Sequence, residues 1–230
     1  MHTFTAEETP ASIVKIFPKA SDLFKERRIN FCCNGDRPLE EVFSTENHDS
    51  EAVLSELNTA YSEWQKSNQK SADWDKMPLS ELVDYIVNNH LAYLKEELDP
   101  LEEFVTKIYN VHGERDPHLV KLHQLYNEFK LLIETHMINE ENNVFPLIKK
   151  YEVSPNESLK QNILEATSKM ENEHETCVNL LKQMREVTSD YEPPLNACGS
   201  YRVTYARLKD LESDTLNHIH LENNILFNRL

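Results

Sequence analysis

The sequence contains the segment His136-Met137-Ile138-Asn139-Glu140-Glu141-Asn142-Asn143-Val144-Phe145. Its pattern returns near the end of the sequence as His218-Ile219-His220-Leu221-Glu222-Asn223-Asn224-Ile225-Leu226-Phe227. In both copies a glutamate follows the histidine by four residues, and a phenylalanine follows it by nine. Residues i and i+4 lie on the same face of an α-helix, so each copy directs an imidazole and a carboxylate to one place.

Both histidine–glutamate pairs lie on the apolar face of their predicted helix. His136 and Glu140 share their row with the apolar residues Phe129, Leu132, Ile133, Val144 and Leu147. The row that contains His218 and Glu222 consists of Leu208, Leu211, Thr215 and Ile225. Ionisable side chains on a core-facing stripe cost free energy unless they are paired or bound to a metal. Two such pairs, far apart in the sequence, therefore predict two helices that meet around metal.

The composition limits the fold and the partners. With 230 residues the chain can form one large domain or two small ones. Only three glycines, among long stretches of Leu, Glu, Lys and Asn, favour helices over sheet. The formal net charge of −16 argues against nucleic acid or an anionic membrane surface as a partner.

The sequence has no apolar run long enough to cross a bilayer and no layout typical of a signal peptide. We therefore expect a cytoplasmic protein. Four cysteines in a reducing compartment are more typical of thiols, ligands or redox groups than of structural disulfides.

The apolar pattern divides the chain into two domains. Residues 1–66 predict a small helical domain, and the polar run 67–77 predicts a linker. The predicted helix starts in the small domain are Thr9-Pro10, Pro18, Pro38 and Ser50. In residues 78–230, apolar rows with four- and three-residue spacing predict four long helices joined by short loops. We therefore predict an all-α protein with an up-down-up-down four-helix bundle, in which Pro146 kinks or ends the second helix.

Each long helix offers one histidine to the predicted core. His90 follows Ile86 on the first helix, and His174 lies on the seam of the third. Imidazoles with two carboxylates suit iron, zinc or manganese rather than magnesium or calcium. Two glutamates supply −2 against the +4 of two divalent ions, so we expect an additional oxide or hydroxide bridge.

The alternative for any single histidine is a core residue that is hydrogen-bonded to a neighbouring helix. The set as a whole favours metal, because two buried carboxylates without a cation would cost several kcal/mol each. His220 lies on another face than His218, and we expect it to be solvated.

These motifs resemble a known family. The segments that resemble a hemerythrin-like domain are His136–Glu141 with Phe145-Pro146, Glu173-His174-Glu175, and His218–Phe227. The segments Asn30-Phe31-Cys32-Cys33-Asn34-Gly35 and Glu192–Gly199 resemble the iron–sulfur cluster repair di-iron family. The resemblance implies a non-haem di-iron centre and a role in restoring clusters damaged by nitric oxide or oxidants. Damaged iron–sulfur proteins, nitric oxide and oxygen are the partners that it implies, and a homodimer stays open.

The resemblance also implies roles for single residues. His136, His174 and His218 correspond to terminal iron ligands, and Glu140 and Glu222 to bridging carboxylates. At the first helix, Leu91 occupies the family's ligand position when residues are counted without a gap. Because the adjacent His90 lies in the same apolar arc, we predict that a small helix rotation brings His90 to the metal.

The cysteines differ in their surroundings. Cys32 and Cys33 are adjacent, so a disulfide between them would be strained. Two thiols in a turn next to a helix start predict thiolate character, and the alternative is a pair of small, partly buried residues. The resemblance favours a function in iron or cluster transfer or in an intermolecular contact. We expect Cys177 in the core and Cys198 in a loop.

Three functions stay open from the sequence. The first is cluster repair, by iron delivery or by removal of nitric oxide at the di-iron site. The second is a carrier or sensor of oxygen or nitric oxide, and the third is an interaction protein stabilised by zinc. The sequence shows no nucleophile–base pair and no phosphate loop, so whether the protein is an enzyme stays open.

Overall fold

A computed structural model describes residues 2–67 and 72–230; part of the predicted linker, residues 68–71, lies outside the described residues. The described residues form helices, turns and bends without a β-strand, which confirms the all-α prediction. They divide into two compact units, one of Met1–Met77 with Ile219–Arg229 and the other of Pro78–His218 with Leu230. None of the described helices is long and apolar enough to cross a membrane.

The N-terminal part of the first unit consists of short helices. These are α1 (Pro10–Ile16), α2 (Ala20–Glu26), α3 (Leu39–Glu46) and α4 (Ser50–Lys66). Helix α1 begins where the sequence predicts. Thr9 and Ser12 form a capping box at its start, and Pro10 has no N–H group that would need an acceptor in the first turn. Asp49 caps α4 by accepting a hydrogen bond from the backbone N–H of Ala52. Aromatic rings fill the core, with Phe17 5.4 Å from both Tyr61 and Trp64.

The second unit is built from long helical segments. The first segment is α5 (Leu79–Ile86), a π-helical turn (Val87–Leu91) and α6 (Ala92–His112). The second is α7 (His118–Asn139), a π-helical turn (Glu140–Val144) and α8 (Phe145–Val153), and the third is α9 (Glu157–Val187). Helix α10 (Gly199–Leu221) follows, and a π-helical turn (Glu222–Leu226) and a short 3₁₀ turn (Phe227–Arg229) complete the described chain.

Neighbouring segments run antiparallel. Helix α7 packs against α6 and α9, and α8 packs against α5 and α9. Because α5 opens the first segment and α8 closes the second, these two segments run in opposite directions. Ion pairs attach α10: Arg207 binds Glu97 on α6 at 2.6 Å, and Arg185 on α9 binds Glu212 at 2.9 Å. The helical bundle that the apolar rows predict is confirmed.

Each π-helical turn contains a residue that the sequence predicts to bind metal. His90 lies in the first turn, and Glu140 and Glu222 open the other two. A π-helical turn adds one residue to an α-helix and occurs often at functional sites. Pro146 lies in the first turn of α8, directly after the second π-helical turn.

Candidate metal centre

Four buried side chains converge in the structure. His136, Glu140, His174 and Glu222 each offer one ligand atom, and these atoms all lie within 4.8 Å of one another. None of the four residues is more than 1% exposed. The sequence predicts all four as metal ligands.

The contacts of His136 show why this arrangement fits a cation. Its Nε2 lies 2.9 Å from Glu140 Oε1 and 2.9 Å from His174 Nε2. A single ring nitrogen carries at most one proton, so it cannot satisfy both of these neighbours. Glu140 Oε2 is buried and receives no hydrogen bond from the residues that the structure describes. Donor atoms that face each other in a dry interior are satisfied together by a metal ion, so the residues present fit a metal centre.

The other nitrogen of His136 is held by a carboxylate. Its Nδ1–H donates to Glu173 Oε2 at 2.6 Å. This hydrogen bond holds the pKa of Glu173 below its usual value, so Glu173 stays an ionised acceptor. Carboxylate–imidazole pairs of this kind orient metal-binding histidines in proteins.

The remaining two predicted histidines lie beside the group of four. His218 is fully buried, and its Nε2 lies 3.5 Å from Glu140 Oε1. His90 is 8% exposed, and its ring lies parallel to the His218 ring, with 5.8 Å between the centroids and 9° between the planes. Its Nδ1–H donates to Asp214 Oδ1 at 2.9 Å. Leu91 is fully buried. The structure thus brings His90 close to His218, and its ligation of metal stays a prediction.

Cys32 and Cys33 lie elsewhere, in a turn of the first unit. Both are buried, and the Asn30 side chain accepts hydrogen bonds from their backbone N–H groups at 3.2 and 3.1 Å. The hydrogen bond to Cys33, together with burial, raises the pKa of Cys32 well above its usual value. The predicted thiolate character is therefore wrong for Cys32, because the burial was not visible in the sequence.

The prediction that His220 is solvated is also wrong. His220 is 3% exposed, and its Nδ1–H donates to the carbonyl of Phe31 at 3.2 Å. Burial lowers its pKa to about 4, so the ring is neutral at pH 7. Asn224 donates to the carbonyl of Cys32 at 2.9 Å from the same segment. Helical periodicity shows which face of a segment is apolar, but it does not show that a second face is covered as well. Cys177 is buried and Cys198 is exposed, as expected.

Sequence reasoning did not single out the carboxylates Glu173 and Asp214 as partners of the histidines. Glu173 directly precedes His174, whereas its own partner lies on another helix. Asp214 precedes His218 by four residues, which places both on one helix face. That spacing points to His218, whereas Asp214 pairs with His90 on the first helical segment, so neither contact could be read from the sequence.

Comparisons with known proteins agree with this geometry. Residues 81–230 match the hemerythrin HHE cation binding domain, and residues 6–61 match ScdA_N, a domain of unknown function (DUF542). The chain is 34% identical over 227 residues to the iron-sulfur cluster repair protein ScdA of Staphylococcus epidermidis, covering 98% of this chain and 99% of that protein. It is 32% identical over 225 residues to ScdA of Staphylococcus haemolyticus, with 98% of each covered.

A more distant relative also aligns over most of its length. The iron-sulfur cluster repair protein YtfE of Yersinia pseudotuberculosis is 29% identical over 215 residues, covering 92% of this chain and 91% of that protein. The resemblance read from the motifs is thereby confirmed over nearly the whole length. This chain belongs to the hemerythrin HHE cation binding domain family, with an ScdA_N domain preceding that domain.

Proposed function

We propose that this chain is a di-iron protein that takes part in the repair of iron–sulfur clusters damaged by nitrosative and oxidative stress. The observation that carries the proposal is the buried group of His136, Glu140, His174 and Glu222, whose donor atoms fit a cation. The alignment with proteins named for iron–sulfur cluster repair, over nearly their whole length, supports the choice of function.

Two iron ions suit the donor set. We propose His90, His136, His174 and His218 as terminal imidazole ligands. Glu140 and Glu222 would serve as the bridging carboxylates, and an oxide or hydroxide would balance the remaining charge. When bound, the two ions supply redox and Lewis-acid chemistry. The chain itself holds the imidazoles in place through carboxylates such as Glu173 and keeps bulk water out by burying the donors.

The proposal extends to the partners and the domains. Residues 78–230 bind the iron, residues 1–66 contain the proposed transfer thiols Cys32 and Cys33, and residues 67–77 join the two domains. The targets are damaged iron–sulfur proteins, to which the protein delivers iron or from which it removes nitric oxide. Its small ligands are nitric oxide and oxygen. We propose a cytoplasmic protein that can pair as a homodimer.

A repair assay tests the function. The iron-loaded protein is mixed without oxygen with a [4Fe–4S] enzyme inactivated by nitric oxide, and the recovered activity is measured. We expect recovery with the wild type and with Glu141→Ala, whose side chain pairs with Lys95. We expect none with Glu140→Ala. Reversible binding of nitric oxide or oxygen without any recovery would instead favour a carrier or sensor, and zinc in place of iron would contradict both functions.

A further inference from the structure

Two carboxylate–imidazole pairs in the second unit have the same construction. In one, His136 donates from Nδ1 to Glu173, and in the other, His90 donates from Nδ1 to Asp214. The first pair orients a histidine whose Nε2 faces the other donors of the candidate centre. We propose that Asp214 is the positioning residue that presents His90 as an iron ligand in this chain, in place of Leu91. The inference rests on the proposed di-iron function.

The π-helical turn Val87–Leu91 contains both His90 and Leu91. Leu91 is buried, but an aliphatic side chain has no atom that binds metal. His90 is the neighbouring residue in the same turn and is also buried. The extra residue of a π-helical turn shifts the side chains around it relative to a regular α-helix. The turn can therefore bring the imidazole one position earlier in the sequence into the bundle interior.

The His90 ring lies beside another predicted ligand, His218. It stacks on the ring of His218, parallel to within 9° and 5.8 Å away. His218 in turn faces the carboxylate of Glu140, with 3.5 Å between Nε2 and Oε1. His90 therefore lies one imidazole away from the proposed bridging glutamate.

The contact with Asp214 determines which nitrogen of His90 carries the proton. An ionised carboxylate only accepts hydrogen bonds, so the contact with Asp214 requires the proton on Nδ1. In the neutral ring, Nε2 then carries the lone pair that a metal needs. Asp214 lies one helical turn before His218, so α10 supplies both the ligand and the positioning carboxylate. The second oxygen of Asp214 is buried and has no hydrogen-bond partner in the described parts of the chain, so it can accept from a further donor.

The test is a metal titration of the full-length apoprotein. Ferrous iron is added without oxygen, and Co²⁺ is used in parallel because its visible absorption reports the coordination of each ion. We expect Asp214→Ala to lower the affinity for one of the two ions roughly 10- to 100-fold, which is the usual effect of removing a partner of a metal-binding histidine. The Co²⁺ spectrum of that site should change as well. Asp214→Asn keeps an oxygen that accepts the Nδ1–H, so we expect it to restore most of the affinity. Asp210→Ala, an exposed aspartate one turn earlier on α10, is the matched control and should bind like the wild type.

A double variant shows whether Asp214 affects metal binding through His90 or independently of His90. If Asp214 acts through His90, the double variant His90→Ala/Asp214→Ala has the same affinity as His90→Ala alone for the ion that His90→Ala affects. Losses that multiply in the double variant, or wild-type affinity in Asp214→Ala, would overturn the inference. Wild-type binding in His90→Ala would overturn it as well, while leaving the di-iron function intact. A wild-type protein that binds no iron would overturn the proposed function and the inference together.

Discussion

The Nε2 atoms of His136 and His174 face each other at 2.9 Å in the interior of the bundle. Two imidazole nitrogens at this distance share at most one hydrogen bond, and His136 also faces the carboxylate of Glu140. A polar cluster of this kind is costly to bury and becomes favourable when a cation satisfies the converging donors. The sequence therefore carries in its core groups that serve metal binding better than they serve the stability of the metal-free fold.

We therefore expect one substitution at Glu140 to stabilise the metal-free protein and to abolish iron binding. Glu140→Gln removes a buried carboxylate that has an oxygen without a hydrogen-bond partner among the described residues. We expect the metal-free variant to be at least as stable as the metal-free wild type, with a gain of up to about 3 kcal/mol, because a neutral amide costs less to bury than a carboxylate. Chemical denaturation of both apoproteins measures this, and iron binding should be lost. A marked loss of stability in the metal-free variant would show that Glu140 stabilises the fold by itself.

Removal of metal is expected to lower the thermal stability of the wild type. A ligand that binds only the native state stabilises it by about 2.7 kcal/mol when its free concentration is 100 times its dissociation constant. Melting curves with ferrous iron and with a chelator should therefore differ for the wild type. The same pair of curves should coincide for Glu140→Ala, and a persistent difference there would place the stabilising metal elsewhere.

Gly35 and Gly199 form a matched pair for a test of the cysteine turn. A methyl group on Gly35 would lie 2.5 Å from the backbone oxygen of Phe31, whereas one on Gly199 would meet nothing within 4 Å. We expect Gly35→Ala to lower the free energy of unfolding by about 1–3 kcal/mol or more, because the backbone has to shift. Gly199→Ala should leave stability unchanged or raise it by up to about 1 kcal/mol. Equal effects in denaturant unfolding would contradict the packing of this turn.

Thiol labelling tests the burial of the cysteine pair. Among the four cysteines only Cys198 is exposed, so a thiol reagent should label one group per native chain rapidly. Asn30→Ala removes the acceptor that holds the N–H groups of Cys32 and Cys33, and we expect faster labelling of both. The control is Asn172→Ala on the exposed face of α9, which should not change the rates. Rapid labelling of three thiols in the wild type would contradict the buried turn.

The sequence was sufficient for the helices and for much of the candidate site because both depend on local spacing. The His–Glu spacing of four residues and the apolar rows predict which side chains share a face, and Glu140 and Glu222 are buried close together as expected. Contacts between distant segments were not predictable in this way. The sequence shows neither the hydrogen bond from His220 to Phe31 nor the one from His136 to Glu173, because each joins residues far apart in the chain. The π-helical turn at His90 was anticipated only as a small rotation.

The proposed di-iron centre can be tested by iron quantitation with Mössbauer spectroscopy on the protein reconstituted without oxygen and then oxidised. We expect two irons per chain with the signature of a coupled pair in the wild type, and loss of that pair in Glu140→Ala. A wild type that binds a single, uncoupled iron, or no iron at all, would show that the chain does not hold a di-iron centre.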